Sequence, residues 1–314
     1  MNLKTTLGAL IAALFISATP MAGAAGPATG QQAFPSPAAA AGALVDAVRS
    51  DDPKALSALL GAKAAAALVS GDAVADRQAR AKFVAAYEQK HELSEQPGGK
   101  RAVLVVGDDQ WQFPAPIVQR GSGWVFDSAA GLDEIANRRI GRNELDTIQT
   151  LRAIVDAQRE YAAGDPDGNG FNDYARRFRS SEGKKDGLFW PTADGEPPSP
   201  LGLLVAKAAQ EGYGKGAQTP EGGHPPPYHG YRYRILTAQG VKAPGGAYSY
   251  LVGDRLLGGF AVVAYPAKYG VSGVMTFVVN HEGTVYEKNL GKNTDTVALG
   301  MRRFNPDAGW KKSD

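Results

Sequence analysis

The spacing of apolar residues switches twice along this chain, and that switch restricts its fold more than any other feature. Between residues 36 and 90 the spacing is helical. Ser36-Pro37 is an N-cap followed by proline at the first helical position, and Leu44, Val45 and Val48 mark the buried stripe of a helix ending near Ser50. Asp52-Pro53 repeats the start signal ahead of Leu56, Leu59 and Leu60, and Phe83, Val84 and Tyr87 lie on one face of a third helix from about Asp76 to Lys90. The period then becomes that of strands. Arg101 to Val106 is a compact apolar run, Trp111, Phe113 and Ala115 alternate with other residues, and Ile117-Val118 leads to a Gly121-Ser122-Gly123 turn answered by Trp124-Val125-Phe126.

The same order recurs further on. Leu145, Ile148, Leu151, Ile154, Val155 and Tyr161 predict a long helix over 143–163, with Arg152, Asp156, Arg159 and Glu160 on its polar side. A Gly/Pro-rich region from Gly183 to Gly230 follows, holding one helical piece near Leu201 to Gln210. The remainder reads as strands at Tyr231–Leu236, Gly259–Tyr265, Val274–Val279 and Thr284–Glu287, with a turn at Asn280–Gly283 and a closing helix around Thr294–Arg303. Helices and then antiparallel strands, twice over, make an α+β chain. The expected organisation is an N-terminal α+β domain over 34–140 and a C-terminal one over 141–314.

Ahead of these lies a different kind of segment. Lys4 precedes an uncharged run from Leu7 to Ala18, Thr19-Pro20 breaks it, and Ala22-Gly23-Ala24 supplies small residues for cleavage. That is the layout of a secretory signal peptide over 1–24. Its apolar core is twelve residues long, against roughly twenty for a membrane-crossing helix. Removing 24 of the 314 residues leaves 290, beginning with a flexible spacer over 25–33. The implied location is periplasmic or secreted, with no membrane span after cleavage. The 34 basic and 32 acidic residues nearly balance, which excludes the basic footprint of a nucleic-acid binder. The absence of cysteine removes disulfides, thiolate nucleophiles and Cys-ligated zinc.

Several stretches carry a resemblance. They are Phe34–Pro37, Asn137–Glu144, Gln158–Ala162, Lys185–Pro191, Gly230–Leu236 and Gly270–Phe277. On them the chain resembles an uncharacterised bacterial family, domain of unknown function 2950, which implies no activity. By layout the N-terminal unit looks like the cone-shaped nuclear transport factor 2-like or cystatin-like folds. The C-terminal half looks like the globular part of type IV pilin-like and pseudopilin proteins. Its long helix, Gly230-Tyr231-Arg232-Tyr233, Ala264-Tyr265-Pro266 and the Gly270–Gly273 turn carry that likeness. Pilins place the helix on an uncleaved apolar stem, whereas here it follows another domain.

The local signal richest in chemistry is Asp165-Pro166-Asp167-Gly168-Asn169-Gly170-Phe171-Asn172-Asp173. Asp165, Asp167, Asn169 and Asp173 place side-chain oxygens at calcium-loop positions 1, 3, 5 and 9, Phe171 offers a carbonyl at 7, and Gly170 sits at the turn position 6. Position 12 is Arg176 instead of the bidentate glutamate, so a structural calcium site here needs water or another carboxylate such as Asp186. The same residues also suit a plain Asx-rich turn. A helix beginning at Tyr174–Phe178 would complete the helix–loop–helix.

No catalytic set is legible. His91, His224, His229 and His281 form no close ligand pair and are expected in exposed loops. No Gly-x-Ser-x-Gly elbow occurs, Ser122 and Ser272 read as turn hydroxyls, and Asp127 with Asp133 and Glu134 reads as caps around a helix start. Arg138, Arg139 and Arg142 suit either a grip on an anionic ligand or pairing with acidic groups across the domain interface, and the second is the expectation. Tyrosines 228, 231, 233, 248, 250, 265 and 269 would serve a protein or glycan partner if exposed and are core if covered. The expectation is a non-enzymatic interaction or structural module of the envelope. The alternative is a periplasmic hydrolase or small-ligand-binding protein with its pocket in the N-terminal cone or at the domain interface.

Overall fold

The computed structural model describes residues 31–214 and 226–313. The signal segment, spacer residues 25–30 and His224 lie outside the described residues. Local chemistry sets the first helices as expected. Ser36 accepts the Ala39 N–H at the start of α1 (Pro37–Arg49), and Asp52 accepts the Lys54 and Ala55 N–H groups at the start of α2 (Pro53–Leu60). A short α3 (Ala62–Ala67) was not foreseen, because a run of alanines and one lysine shows no apolar stripe. α4 (Ala73–Gln89) begins three residues earlier than expected, capped by Asp72.

These helices cover an antiparallel sheet of β1 (His91–Glu95), β2 (Arg101–Val106), β3 (Trp111–Gln112), β4 (Ile117–Arg120) and β5 (Gly123–Phe126). Its order is β1-β2-β4-β5, with β3 also on β2. β1 escapes sequence reading because His-Glu-Leu-Ser-Glu is an exposed, charged edge with nothing to alternate against. Leu44, Leu59, Leu104, Ile117 and Phe126 centre the core between the layers. Gln31 and Gln32, assigned to the spacer, are tied to this unit: Gln31 Nε2 donates to the Leu59 and Phe126 carbonyls, and Gln32 N to that of Ala58.

α5 runs unbroken from Ser128 to Gly164, 37 residues instead of the 21 expected. Ile148, Leu151, Ile154, Val155 and Tyr161 are buried as foreseen, but Leu145 is 66% exposed. After α6 (Gly202–Gln210) the second sheet has the order β14-β13-β12-β11-β6, all antiparallel. Its strands are β6 (Tyr231–Leu236), β11 (Ala261–Pro266), β12 (Met275–Asn280), β13 (Val285–Asn289) and β14 (Lys311–Lys312). Two short ribbons, β7 (Ala238–Gln239) with β8 (Tyr248–Ser249) and β9 (Leu251–Val252) with β10 (Arg255–Leu256), lie between β6 and β11 in the chain. α7 (Thr294–Gly300) packs on β11. The core under α5 contains Tyr231, Val263, Phe277 and Phe304, fully buried. Mixed helices and antiparallel sheets make the class α+β.

The Asn137–Glu144 stretch lies inside α5 and reaches the second sheet mainly through backbone groups. Arg139 Nε donates to the Val271 carbonyl and Asn143 Nδ2 to that of Ser272, both at 2.8 Å, while Glu144 Oε1 accepts the Val274 and Met275 N–H groups. Arg138 pairs with Glu134 on its own helix at 2.6 Å, so the expected pairing across the interface does not describe it. Gly230 seals the junction: it has φ +75°, and a Cβ there would run into the Asn143 side chain. No helix among the described residues is long and apolar enough to cross a membrane.

Candidate functional site

Asp165 ends α5 in the left-handed conformation, φ 43°. Its two oxygens accept the Asn169 and Gly170 N–H groups at 2.9 Å, and the Gly170 bond is the main reason its carboxyl is held below the usual range. Asn169 organises the rest. Its amide donates to Asp167 Oδ2 at 2.7 Å and Asp173 Oδ1 at 3.0 Å, and its carbonyl accepts the Phe171 N–H. One neutral amide thus joins two carboxylates. Asp173 also faces Arg255, 3.7 Å away, whose guanidinium lies over the Phe171 ring. Among the described residues no three His, Asp or Glu side chains converge as metal ligands. The helix expected after the loop is replaced by bridges, Tyr174 to Leu256 and Arg179 to Phe189, because Tyr174 and Phe178 turn into the core instead of propagating a helical stripe.

Beside this loop lies a cleft of about 520 Å³. One wall is the end of α5 with Glu160, Tyr161 and Gly164, and Pro166 of the loop continues it. The other wall is the 185–200 segment, with Lys185, Trp190, Thr192, Glu196 and several prolines. That segment lacks regular structure yet is firmly held. Leu188 is fully buried, Asp186 accepts the Ser181 N–H and hydroxyl, and Leu201 N donates to the Leu188 carbonyl. Tyr161, only 3% exposed, donates its hydroxyl to the Lys185 carbonyl at 2.7 Å. Burial, aided by the carboxylates of Asp167, Asp173, Asp186 and Asp165, pushes this phenol far above its ordinary value, so it stays a donor. The Lys185 ammonium stands 5.5 Å from the centre of the Trp190 ring. An aromatic face, two carboxylates and an ammonium suit recognition. The lining holds no histidine to serve as a base.

The other candidates disperse. Asp127 stands at the N-cap position of α5 without a side-chain capping bond, and neither the cleft nor a smaller cavity of about 310 Å³ by Met301 and Trp310 is lined by it or by a histidine. Exposed loop histidines were expected; two of the three described are half-buried, and the third, His91, is exposed but opens β1. His281 is half-buried against Tyr250 and Phe260, and His229 sits at the interface, 3.5 Å from Asp146 and 3.4 Å from Glu211. His91 is exposed and stacks on Tyr87. Of the seven tyrosines, Tyr231, Tyr250 and Tyr265 are buried, Tyr228, Tyr233 and Tyr269 are half-buried, and Tyr248 is exposed. Ser272 is fully buried, its hydroxyl bonded within its own turn to Lys268.

A family model described as Protein of unknown function (DUF2950) matches residues 31–313. The chain belongs to this family. No curated protein and no solved structure matches it significantly. In this DUF2950 chain two of the stretches that carry the resemblance, 158–162 and 185–191, face each other across the cleft through Glu160, Tyr161, Lys185 and Trp190. Glu160 and Trp190 were not singled out from the sequence as binding residues. Their signal was an aromatic and a carboxylate inside two stretches that carry the family resemblance, without the fold that joins them.

Proposed function

We propose that this DUF2950 protein is a non-enzymatic interaction module of the bacterial envelope. In this reading it is exported by removal of residues 1–24, acts in the periplasm or outside the cell, and engages a protein or glycan partner through the cleft at the end of α5. The observation that carries it is the cleft lining: an aromatic face with charged groups of both signs and no histidine. The hydrolase alternative meets a histidine between two carboxylates at His229, but neither cavity reaches it. The layout of α1–α4 on the first sheet supports a nuclear transport factor 2-like or cystatin-like unit over 34–140. That of α5 against β11–β13 supports a pilin-like unit over 141–314. Capture from the native envelope tests the function. Processed protein is expected to retain a partner that Trp190→Ala loses, and an identical capture with both proteins would sink the cleft as the docking site.

Calcium belongs to the same proposal as a structural ion held by Asp165, Asp167, Asn169, Asp173 and the Phe171 carbonyl. Supporting it are the oxygen-rich donor set and the way Asn169 already gathers two carboxylates. Thermal melting with millimolar calcium against chelator is expected to show a rise in Tm of a few degrees that Asp165→Ala plus Asp167→Ala abolishes. Superimposable melts would retire the ion.

A further inference from the structure

The walls of the cleft carry more negative charge than positive. Gly164 brings to it the C-terminal end of a 37-residue helix, where partial negative charge collects, and no basic side chain stands in that helix's last turn. Glu160 and Glu196 add full charges from opposite walls, both exposed, and no ion pair among the described residues engages either. Against these stands one cation, Lys185, and its place is informative. Its backbone is pinned by Tyr161, while its exposed side chain lays the ammonium over the Trp190 ring. The protein thus fills its own aromatic face with an ammonium, the group that a negative, ring-lined cleft attracts.

We infer that the cleft binds an organic cation, an alkylammonium or guanidinium group carried by a partner, which replaces the Lys185 ammonium on Trp190 between Glu160 and Glu196. The inference rests on the interaction-module reading and names the chemistry of the partner. A volume of about 520 Å³ falls within the range of small-ligand pockets and admits a basic side chain or an amino sugar. Lys185 is then a built-in competitor, and its removal acts opposite to what an anion site would show.

Titration calorimetry of the processed full-length protein tests this with four probes: acetyl-tetralysine amide, acetyl-tetraglutamate amide, a glucosamine tetramer and its fully N-acetylated form. The tetralysine or the glucosamine tetramer is expected to bind, and which of them binds tells a basic polypeptide from an amino sugar. Lys185→Met is expected to tighten that binding about two- to fivefold, the worth of an exposed cation–π contact. Glu160→Gln and Glu196→Gln should each weaken it, by up to about fivefold, with melting temperatures unchanged. The inference is overturned if neither cation binds, if Lys185→Met weakens binding, or if the N-acetylated tetramer binds as well as the free amine. Partner capture that still depends on Trp190 in those cases would leave the cleft standing as the docking site of another kind of partner, whereas capture indifferent to Trp190 would move the docking site away from the cleft.

Discussion

Two aspartates four residues apart at the start of α4 meet different fates. Asp72, 1% exposed, uses one oxygen to cap Val74 and Ala75 and the other to accept the Tyr213 hydroxyl and the Gly230 N–H at 2.9 Å each. Its charge is surrounded by donors, which is how a buried carboxylate is tolerated. Asp76 has less help. Burial pushes its carboxyl above the ordinary value of 3.8, against the Ser70 hydrogen bonds and the Arg139 charge. A folded value above the unfolded one means that folding favours the protonated form. That contribution is complete below the unfolded value and is lost as pH rises through the raised one. Asp76→Asn keeps an oxygen for the Ser70 N–H and removes the titration. Urea midpoints followed upward from pH 3.8 should fall for the parent relative to the variant, and parallel profiles would contradict the assignment.

α5 is the element on which the site depends, since its first half lies by the first core and its last turn walls the cleft. Its apolar stripe was readable over 143–163, but its first fifteen residues were not. Ser128 to Arg142 contain two glycines and few large apolar residues, and tertiary contact overrides weak helix propensity there. Gly141 is the weak point: it is exposed, takes an ordinary helical conformation, and a Cβ there would meet nothing within 4 Å. Gly141→Ala is therefore expected to stabilise the protein by about 0.5–1 kcal/mol, read as a higher urea midpoint at unchanged slope. A loss of stability would show that the helix needs to bend at this point.

At the scale of the whole molecule the two cores are joined by α5 and by a small set of polar contacts centred on Asp72, Asn143 and Glu144. Tyr213→Phe removes a donor to Asp72 and the acceptor of the His229 N–H. It should cost about 1–3 kcal/mol and broaden a single unfolding transition toward two, as seen by calorimetry. A sharp transition at the parent midpoint would assign the coupling to α5 alone. What could be read from the chain unaided was local: the caps at Ser36 and Asp52, the stripe of α5, the strand pairs, and the oxygen spacing from Asp165 to Asp173. Each is set by hydrogen bonds and side-chain periods within a few residues. The cleft and the interface were decided only by tertiary structure. Glu160 lines one cleft with Trp190 and Glu196, and Asp72 meets Gly230 from 158 positions away, because one helix packs against two cores and brings distant segments to its end and its side. No short-range pattern records that packing.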